Sequence, residues 1–357
     1  MVGRLRSNEA PSMCKWWLKQ ALMHHGRPML KGLGRFLMFA CLCAIVTPAV
    51  QAQNTPQGFA AWMEQLRADA LSAGISPQTL ALALADIEAP QPRLLESDLN
   101  QPEQTQTLAD YVATLVSTER IAEGRVMLRR YSTWLGRIER QYGVQRRFIV
   151  ALWGIESSYG RHPGQVPVFQ ALVTLAHDDR RGDYFRKELL EALRLLEAEQ
   201  LSVQKMQGSW AGAMGQFQFM PSSYRHFAID ADGDGRRDLW ASVPDALASA
   251  ANYLAKAGWQ GDQTWGRPVT LPQKFDYSLV GQESHLSLSR WQTLGVRRSN
   301  GKALPRRALQ AALIVPDGPG GPAYLVYGNF QVLRRWNRSN AFAVAVGTLA
   351  DSLAAQK

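Results

Sequence analysis

The chain has 357 residues, enough for two or three domains and a sizeable core. With 46% hydrophobic and 20% charged residues it is neither disordered nor collagen-like. Its formal charge of +10 would suit a nucleic-acid binder, but seven basic residues against one acid fall within residues 1–52, and the rest holds 33 basic and 29 acidic residues.

That opening segment reads as a secretory signal peptide. A long basic stretch precedes the apolar run Phe36 to Val46, and small residues follow, ending in Val50-Gln51-Ala52. The run of 11 residues falls short of the roughly 20 that a membrane span requires. Met29 makes a more ordinary start than Met1. Cys14, Cys41 and Cys43 all lie in this segment, so the processed chain, 53 onward, is expected to carry no disulfide and no thiolate metal site. Cys41 sits inside the apolar run, after Met38-Phe39-Ala40, a poor setting for lipid attachment.

From Phe59 to Gln141 the apolar spacing is helical, with Phe59, Trp62, Met63 and Leu66, then Leu80, Leu82, Leu84 and Ile87. Pro90 and Pro92 break the run, and a polar stretch, Glu96 to Gln106, leads to helices expected over Leu108 to Val116 and Ile121 to Gln141. Residues 53–143 form a helical domain on this reading. Residues 144–262 hold the densest Gly, aromatic and acidic punctuation, with an amphipathic helix from Tyr184 to Leu201. Between 263 and 330 the texture turns to short β-rich runs: Val269 to Leu271, Phe275 to Val280, Ala311 to Val315 and Tyr324 to Val326. Helical pattern returns over Val332 to Ala354, so the β unit reads as an insertion whose helical host is completed by residues 331–357.

Two motifs carry chemistry. In Phe148-Ile149-Val150-Ala151-Leu152-Trp153-Gly154-Ile155-Glu156-Ser157-Ser158-Tyr159-Gly160 a carboxylate closes an apolar helix, where burial would favour its protonated form and suit it to general-acid work. The plainer alternative is a solvated Glu156, or one paired with Arg146 or Arg161. In Gly208-Ser209-Trp210-Ala211-Gly212-Ala213-Met214-Gly215-Gln216-Phe217-Gln218-Phe219-Met220-Pro221, four glycines let backbone approach a ligand, and flanking aromatics offer faces for sugar rings.

Together these motifs resemble the lytic murein transglycosylases of the membrane-bound B type, from about Phe59 to Ala350. The resemblance implies a mainly α (α+β) fold with a lysozyme-like helical core. It also implies an exported, periplasmic lyase that acts as a monomer on peptidoglycan glycan strands, with cell-wall synthesis proteins as its kind of partner and no nucleic acid. Glu156 matches the family's sole acid and base, Ser209 lies in the segment beside it, and Gln218 matches a cleft glutamine. Tyr253, in Ala251-Asn252-Tyr253, matches the A-N-Y tyrosine, and Asn337, in Trp336-Asn337-Arg338-Ser339, a cleft asparagine. Two positions depart: Trp336 stands where a tyrosine is usual, and Phe342 likewise lacks a hydroxyl. Both keep an aromatic face and lose the phenol, which leaves stacking intact and the hydrogen bonds at the cleft open.

A third pattern, Asp230-Ala231-Asp232-Gly233-Asp234-Gly235-Arg236, matches the start of a calcium loop, with acids at positions 1, 3 and 5, Gly at 6 and the Arg236 carbonyl at 7. Position 12 is Ala241, so Asp245 is the candidate closing acid, as the resemblance also implies; a solvated Asx/Gly turn is the alternative. Structural Ca²⁺ is the expected metal, ahead of Mg²⁺, with no organic cofactor. His162, His177, His226 and His285 show no zinc spacing, and His177-Asp178-Asp179 reads as a helix start. The basic run Arg297, Arg298, Lys302, Arg306, Arg307 reads as a solvated loop, with attraction for wall-peptide carboxylates as the alternative.

Two competing functions remain. A muramidase on the same fold would need a second carboxylate, such as Asp178, Asp179 or Asp183, and its product would be heavier by one water. A non-catalytic glycan-binding protein would release no soluble fragment from sacculi.

Overall fold

Hydroxyl side chains start several of the helices. Ser76, Thr107, Ser117, Ser242 and Ser339 each accept a hydrogen bond from a backbone N–H in the first turn, and Pro77, Pro92 and Pro221 open helices where no N–H is needed. The structure, a computed structural model, describes residues 56–101, 105–199 and 201–355. The expected signal peptide and its three cysteines lie outside these residues.

In chain order the elements are α1 (Pro56–Ser72), α2 (Pro77–Ala83), α3 (Pro92–Leu99), α4 (Leu108–Leu115), α5 (Thr118–Arg130), α6 (Ser132–Tyr142) and α7 (Arg146–Ser157). Next come β1 (Val166–Pro167), α8 (Val168–His177), α9 (Gly182–Ala198), β2 (Gln207–Gly208), α10 (Pro221–Phe227) and α11 (Val243–Lys256). The β unit follows as β3 (Gly266–Thr270), β4 (Gly281–Ser287), α12 (Leu288–Thr293), β5 (Arg297–Arg298), β6 (Gln310–Ile314) and β7 (Ala323–Val326). Helices α13 (Gly328–Trp336) and α14 (Asn340–Ala354) close the chain. The fold is mainly helical and lysozyme-like, with a small β component.

All ten residues of α8 are buried, with α9 packed along it. Helix α14 lies against α7, α4 and α13, so the end of the sequence supports the helix that carries Glu156. One hydrophobic core runs through these helices, from Phe59 to Leu353. The five-stranded sheet is antiparallel in the order β4-β6-β7-β3-β5 and serves two cores. Because side chains alternate along a strand, Ala312, Ile314 and Val326 join the main core. Ala311, Leu313, Leu325 and Tyr327 pack on the other side around Trp291, in a smaller core of their own.

Several elements differ from the sequence expectation. The helix expected over Ile121 to Gln141 is two helices, broken at Tyr131, whose ring turns edge-on to Trp153 at 5.6 Å. The polar stretch from Glu96 begins inside α3, which is docked by buried Asp98 bonding Arg181 at 3.0 Å, with Arg180 at 3.4 Å. Helix α9 stops at Ala198, short of Leu201, and His177-Asp178 ends α8 instead of starting a helix. Phe275 to Val280 is not a strand: Asp276 caps a 3-10 turn over Tyr277–Leu279, Phe275 stacks on Trp291, and the ladder is taken by Gly281–Ser287. The span Val332 to Ala354 is divided where Ser339 caps α14. Arg297 and Arg298, expected in a solvated loop, pair with β3, and the Arg297 guanidinium donates to the carbonyls of Gln292 and Val296.

Candidate active site

Glu156 occupies the last turn of α7 and is half-buried. The turn ends abruptly because Ser158 and Tyr159 are left-handed, at φ 51° and 61°. Tyr159 folds back onto Gly154, where a Cβ would lie 2.7 Å from its ring, and donates its hydroxyl to the Arg120 carbonyl at 2.7 Å. Gly154 thus has a local reason to be glycine, since any side chain there would push the tyrosine away from the end of the helix. Of the partners the sequence offered Glu156, Arg146 pairs with Glu139 at 2.6 Å and Arg161 pairs with Glu123.

The carboxylate faces a cavity of about 850 Å³ whose floor includes Ile155, Trp210, Asn337 and Phe342. The cavity's polar lining comes from α3, the residues that follow it and the next helix, through Arg93, Glu96, Ser97, Asn100, Gln101 and Tyr111. These wall residues carry no catalytic motif, and only tertiary placement of α3 reveals them. Trp210 and Phe342, by contrast, are aromatics that the sequence had already singled out, one inside the Gly-rich motif and one as a departure from the family pattern.

The Gly-rich loop is held by its own backbone. Ser209 N donates to Ala213 O at 2.8 Å, Met214 and Phe219 exchange bonds at 2.8 and 2.9 Å, and Gln216 N reaches Leu239 O at 2.9 Å. Gln216 is 3% exposed and ties the loop to α7, since its Oε1 accepts from the Trp153 indole at 3.0 Å and its carbonyl accepts from Ser157 Oγ at 2.6 Å. Ser209 Oγ accepts from Ala211 N and Ala213 N, both at 3.3 Å. Gln218, left-handed at φ 50°, donates its amide to the carbonyls of Pro163 at 2.8 Å and Gly215 at 2.9 Å. Neither Ser209 nor Gln218 is among the residues lining the cavity at Glu156, whereas Asn337 is.

Trp336 ends α13 and donates its indole N–H to Glu156 Oε1 at 2.7 Å. The loss of the family's phenol left open whether this position bonds at all; here the indole supplies a hydrogen bond of its own. The Tyr253 ring lies 4.7 Å from that indole, tilted by 67°, and its hydroxyl donates to the Arg335 carbonyl at 2.8 Å. Burial pushes the Tyr253 phenol up.

Asp178, Asp179 and Asp183 line a separate cavity of about 440 Å³ with Trp62 and His177. Burial works to raise the Asp178 carboxyl, but the hydrogen bonds and charge of Arg180 outweigh it and hold the group below the usual range. Glu96, by contrast, lines the same cavity as Glu156.

In the acidic loop, carboxylate oxygens of Asp230, Asp232 and Asp245 come within 4.8 Å of one another. Gly233 and Gly235 make the turn at φ 80° and 85°. Asp245 is fully buried and accepts from Ala231 N at 2.8 Å and Asp238 N at 2.9 Å. Its carboxyl is pushed up, first by burial, with the nearby Asp232 charge adding to it. Asp234 stands apart from the three and accepts from Arg236 N at 2.8 Å. Three hard oxygen donors meeting at one point, one of them taken out of water, are the chemistry a calcium ion fits.

Comparison with known proteins identifies the family. The family described as Transglycosylase SLT domain matches residues 58–351. Membrane-bound lytic murein transglycosylase B of Escherichia coli (strain K12) is 36% identical over 254 residues, which are 68% of this chain and 66% of the length of that protein. SltB3 from Pseudomonas aeruginosa, solved in complex with NAG-anhNAM-pentapeptide, is 42% identical with a TM-score of 0.78, over 83% of this chain and 79% of that one. The Escherichia coli lytic transglycosylase Slt35, solved in complex with calcium, is 28% identical with a TM-score of 0.69, over 87% of this chain and 98% of that one. Since the family match extends from the first helix into the last, the chain belongs to the transglycosylase SLT domain family.

Proposed function

We propose that the chain is a peptidoglycan lytic transglycosylase, a carbon–oxygen lyase that cleaves the β-1,4 bond between N-acetylmuramic acid and N-acetylglucosamine and leaves 1,6-anhydromuramyl ends. The observation that carries this reading is Glu156 at the end of an apolar helix, lining an open cavity of about 850 Å³ and bonded at Oε1 by the Trp336 indole. Protonated Glu156 gives its proton to the bridging oxygen as the bond from C1 to that oxygen breaks, and the electron pair leaves with the N-acetylglucosamine. The muramyl acetamide supports the developing charge at C1. The Glu156 carboxylate then takes the proton of the muramyl O6 hydroxyl while O6 closes onto C1, so no water is consumed and one protein carboxylate serves both steps.

Ser209, Gln218, Tyr253, Trp336 and Asn337 are the substrate-binding residues in this reading. Ser209 Oγ accepts two N–H groups of its loop, which leaves its own proton for a sugar. Ca²⁺ is a structural ion here, held by Asp230, Asp232 and Asp245 and completed by Asp234 and the Arg236 carbonyl. When bound it neutralises converging carboxylates and takes no part in the reaction. The convergence of the three acids and the calcium-bound relative support this. The enzyme is exported to the periplasm as a monomer, with residues 53–143, 144–262, 263–330 and 331–357 as its helical region, catalytic core, β insertion and closing helices. No helix among the described residues is long and apolar enough to cross a membrane.

One observation favours a hydrolase as the second reading: Glu96 shares the cavity with Glu156 and could activate a water. Digestion of purified peptidoglycan with mass analysis of the products decides between them. Anhydro products that vanish in Glu156→Gln and persist in Glu96→Gln establish the lyase. Products heavier by one water, lost in both variants, establish the muramidase.

A further inference from the structure

We propose that Trp336 is the positioning residue of the catalytic carboxylate: its indole N–H holds Glu156 Oε1 and reserves Oε2 for the proton that is transferred. The proposal rests on the reading of Glu156 as the acid. An indole N–H donates and cannot accept. With that N–H 2.7 Å from Oε1, a carboxylic proton on the same oxygen would set two donors against each other. The protonated acid therefore carries its hydrogen on Oε2. Once the proton has left, the same bond becomes charge-assisted and stronger, so the indole favours the state that proton transfer creates over the one before it. The usual tyrosine of the family could donate or accept at this place, whereas tryptophan removes the second option.

The indole is held for the task from three sides. The rings of Tyr253, Phe219 and Phe217 lie 4.7, 5.2 and 6.3 Å from it. Tyr253 also bonds the carbonyl of Arg335, the residue before Trp336, and Asn337 N bonds Leu333 O on the other side. Phe217 stacks in turn on Trp153 of α7, so the helix bearing Glu156 and the ring that meets it share one aromatic packing. The charged and titratable groups that share the cavity with Glu156 are Arg93 and Glu96 from α3 and Tyr111 from α4; Tyr253 stands behind the indole.

The decisive variant replaces the indole of Trp336 with a benzothiophene, which keeps the shape and loses the N–H; Trp336→Phe and Trp336→Tyr are measured beside it, with Glu156→Gln as control. The isostere is expected to lower kcat at least about tenfold with KM within about twofold. Its alkaline limb of kcat/KM should move to higher pH, because a carboxylate without its donor holds its proton longer. Trp336→Tyr, which restores a donor, should keep the limb nearer wild type than Trp336→Phe does. If the isostere matches wild type in both kcat and limb while Glu156→Gln is inactive, the positioning role is wrong and the lyase reading stands. If Glu156→Gln stays active, it is the reading of Glu156 that fails.

Discussion

Gln216 and Trp153 are bonded side chain to side chain inside the protein, with the indole N–H of one 3.0 Å from Oε1 of the other. The same glutamine donates to the Trp240 carbonyl at 3.1 Å and accepts from Ser157, so one amide joins the catalytic helix, the Gly-rich loop and the segment after the acidic loop. Gln216→Leu would strand the Trp153 N–H and the Trp240 carbonyl in a dry site. We expect a loss of about 2–4 kcal/mol in urea unfolding. Turnover should fall with KM less affected, because α7 loses its side-chain tie at Trp153 and keeps only the Ser157 bond to the main-chain carbonyl; an unchanged denaturation midpoint would show that water replaces the amide.

Gly347→Ala tests how the β unit is seated. A Cβ on Gly347 would overlap the Trp265 indole, whose N–H bonds Asp351 at 3.0 Å in the same helix. Overpacking of this kind costs about 1–3 kcal/mol. In a chain of this size that is a fall in Tm of several degrees, at roughly 2–4 °C per kcal/mol. A calorimetric scan reads it, and Gly328→Ala, exposed and with no atom within 4 Å of the added Cβ, controls for the loss of a glycine at the surface.

Calcium should raise the melting temperature and chelator should lower it, with Mg²⁺ restoring little. Without an ion, Asp230, Asp232 and Asp245 repel one another across less than 4.8 Å, so an ion bound only by the folded chain stabilises it. In Asp230→Asn the calcium increment should shrink or vanish. Equal melting in excess chelator and in several millimolar Ca²⁺ would reduce the loop to a turn.

Acid should loosen the docking of α2 on α9. Hydrogen bonds from the Ser76 side chain and backbone, and then from Thr79, hold the Glu197 carboxyl below the usual range. A group depressed in the folded state stabilises above its unfolded pKa and loses that contribution as pH falls through the folded value. Wild type and Glu197→Gln should therefore differ most near neutrality and converge as pH drops from about 5 to about 3. A gap that stays constant over this range would count against the ionic role.

The helical frame and the glutamate that closes α7 were legible because both are local. Apolar spacing marked the helices, and a charged residue closing a hydrophobic helix marked Glu156. What was missed depends on partners distant in sequence. Tyr131 breaks a continuous helical pattern because Trp153 offers its ring an edge, and nothing near Tyr131 announces that. The far wall of the cleft comes from α3, whose polar residues read as a linker until Asp98 is seen to anchor them to Arg180 and Arg181. Trp336 was legible as an aromatic with its hydrogen bonding left open, because spacing alone does not show that its N–H meets Glu156.

The sheet that faces two cores also determines where the chain can lengthen. Residues added within β6 or β7 would shift side chains between faces and disturb both packings together. The turn after β5 is different: Gly301 N and Arg298 N close it on itself, and no atom lies within 4 Å of a Cβ built on Gly301. Added sequence could leave there without crossing either core. A grafted fluorophore, affinity handle or recruited domain at Gly301 would ride on the chain while the helices that present Glu156 stay as they are.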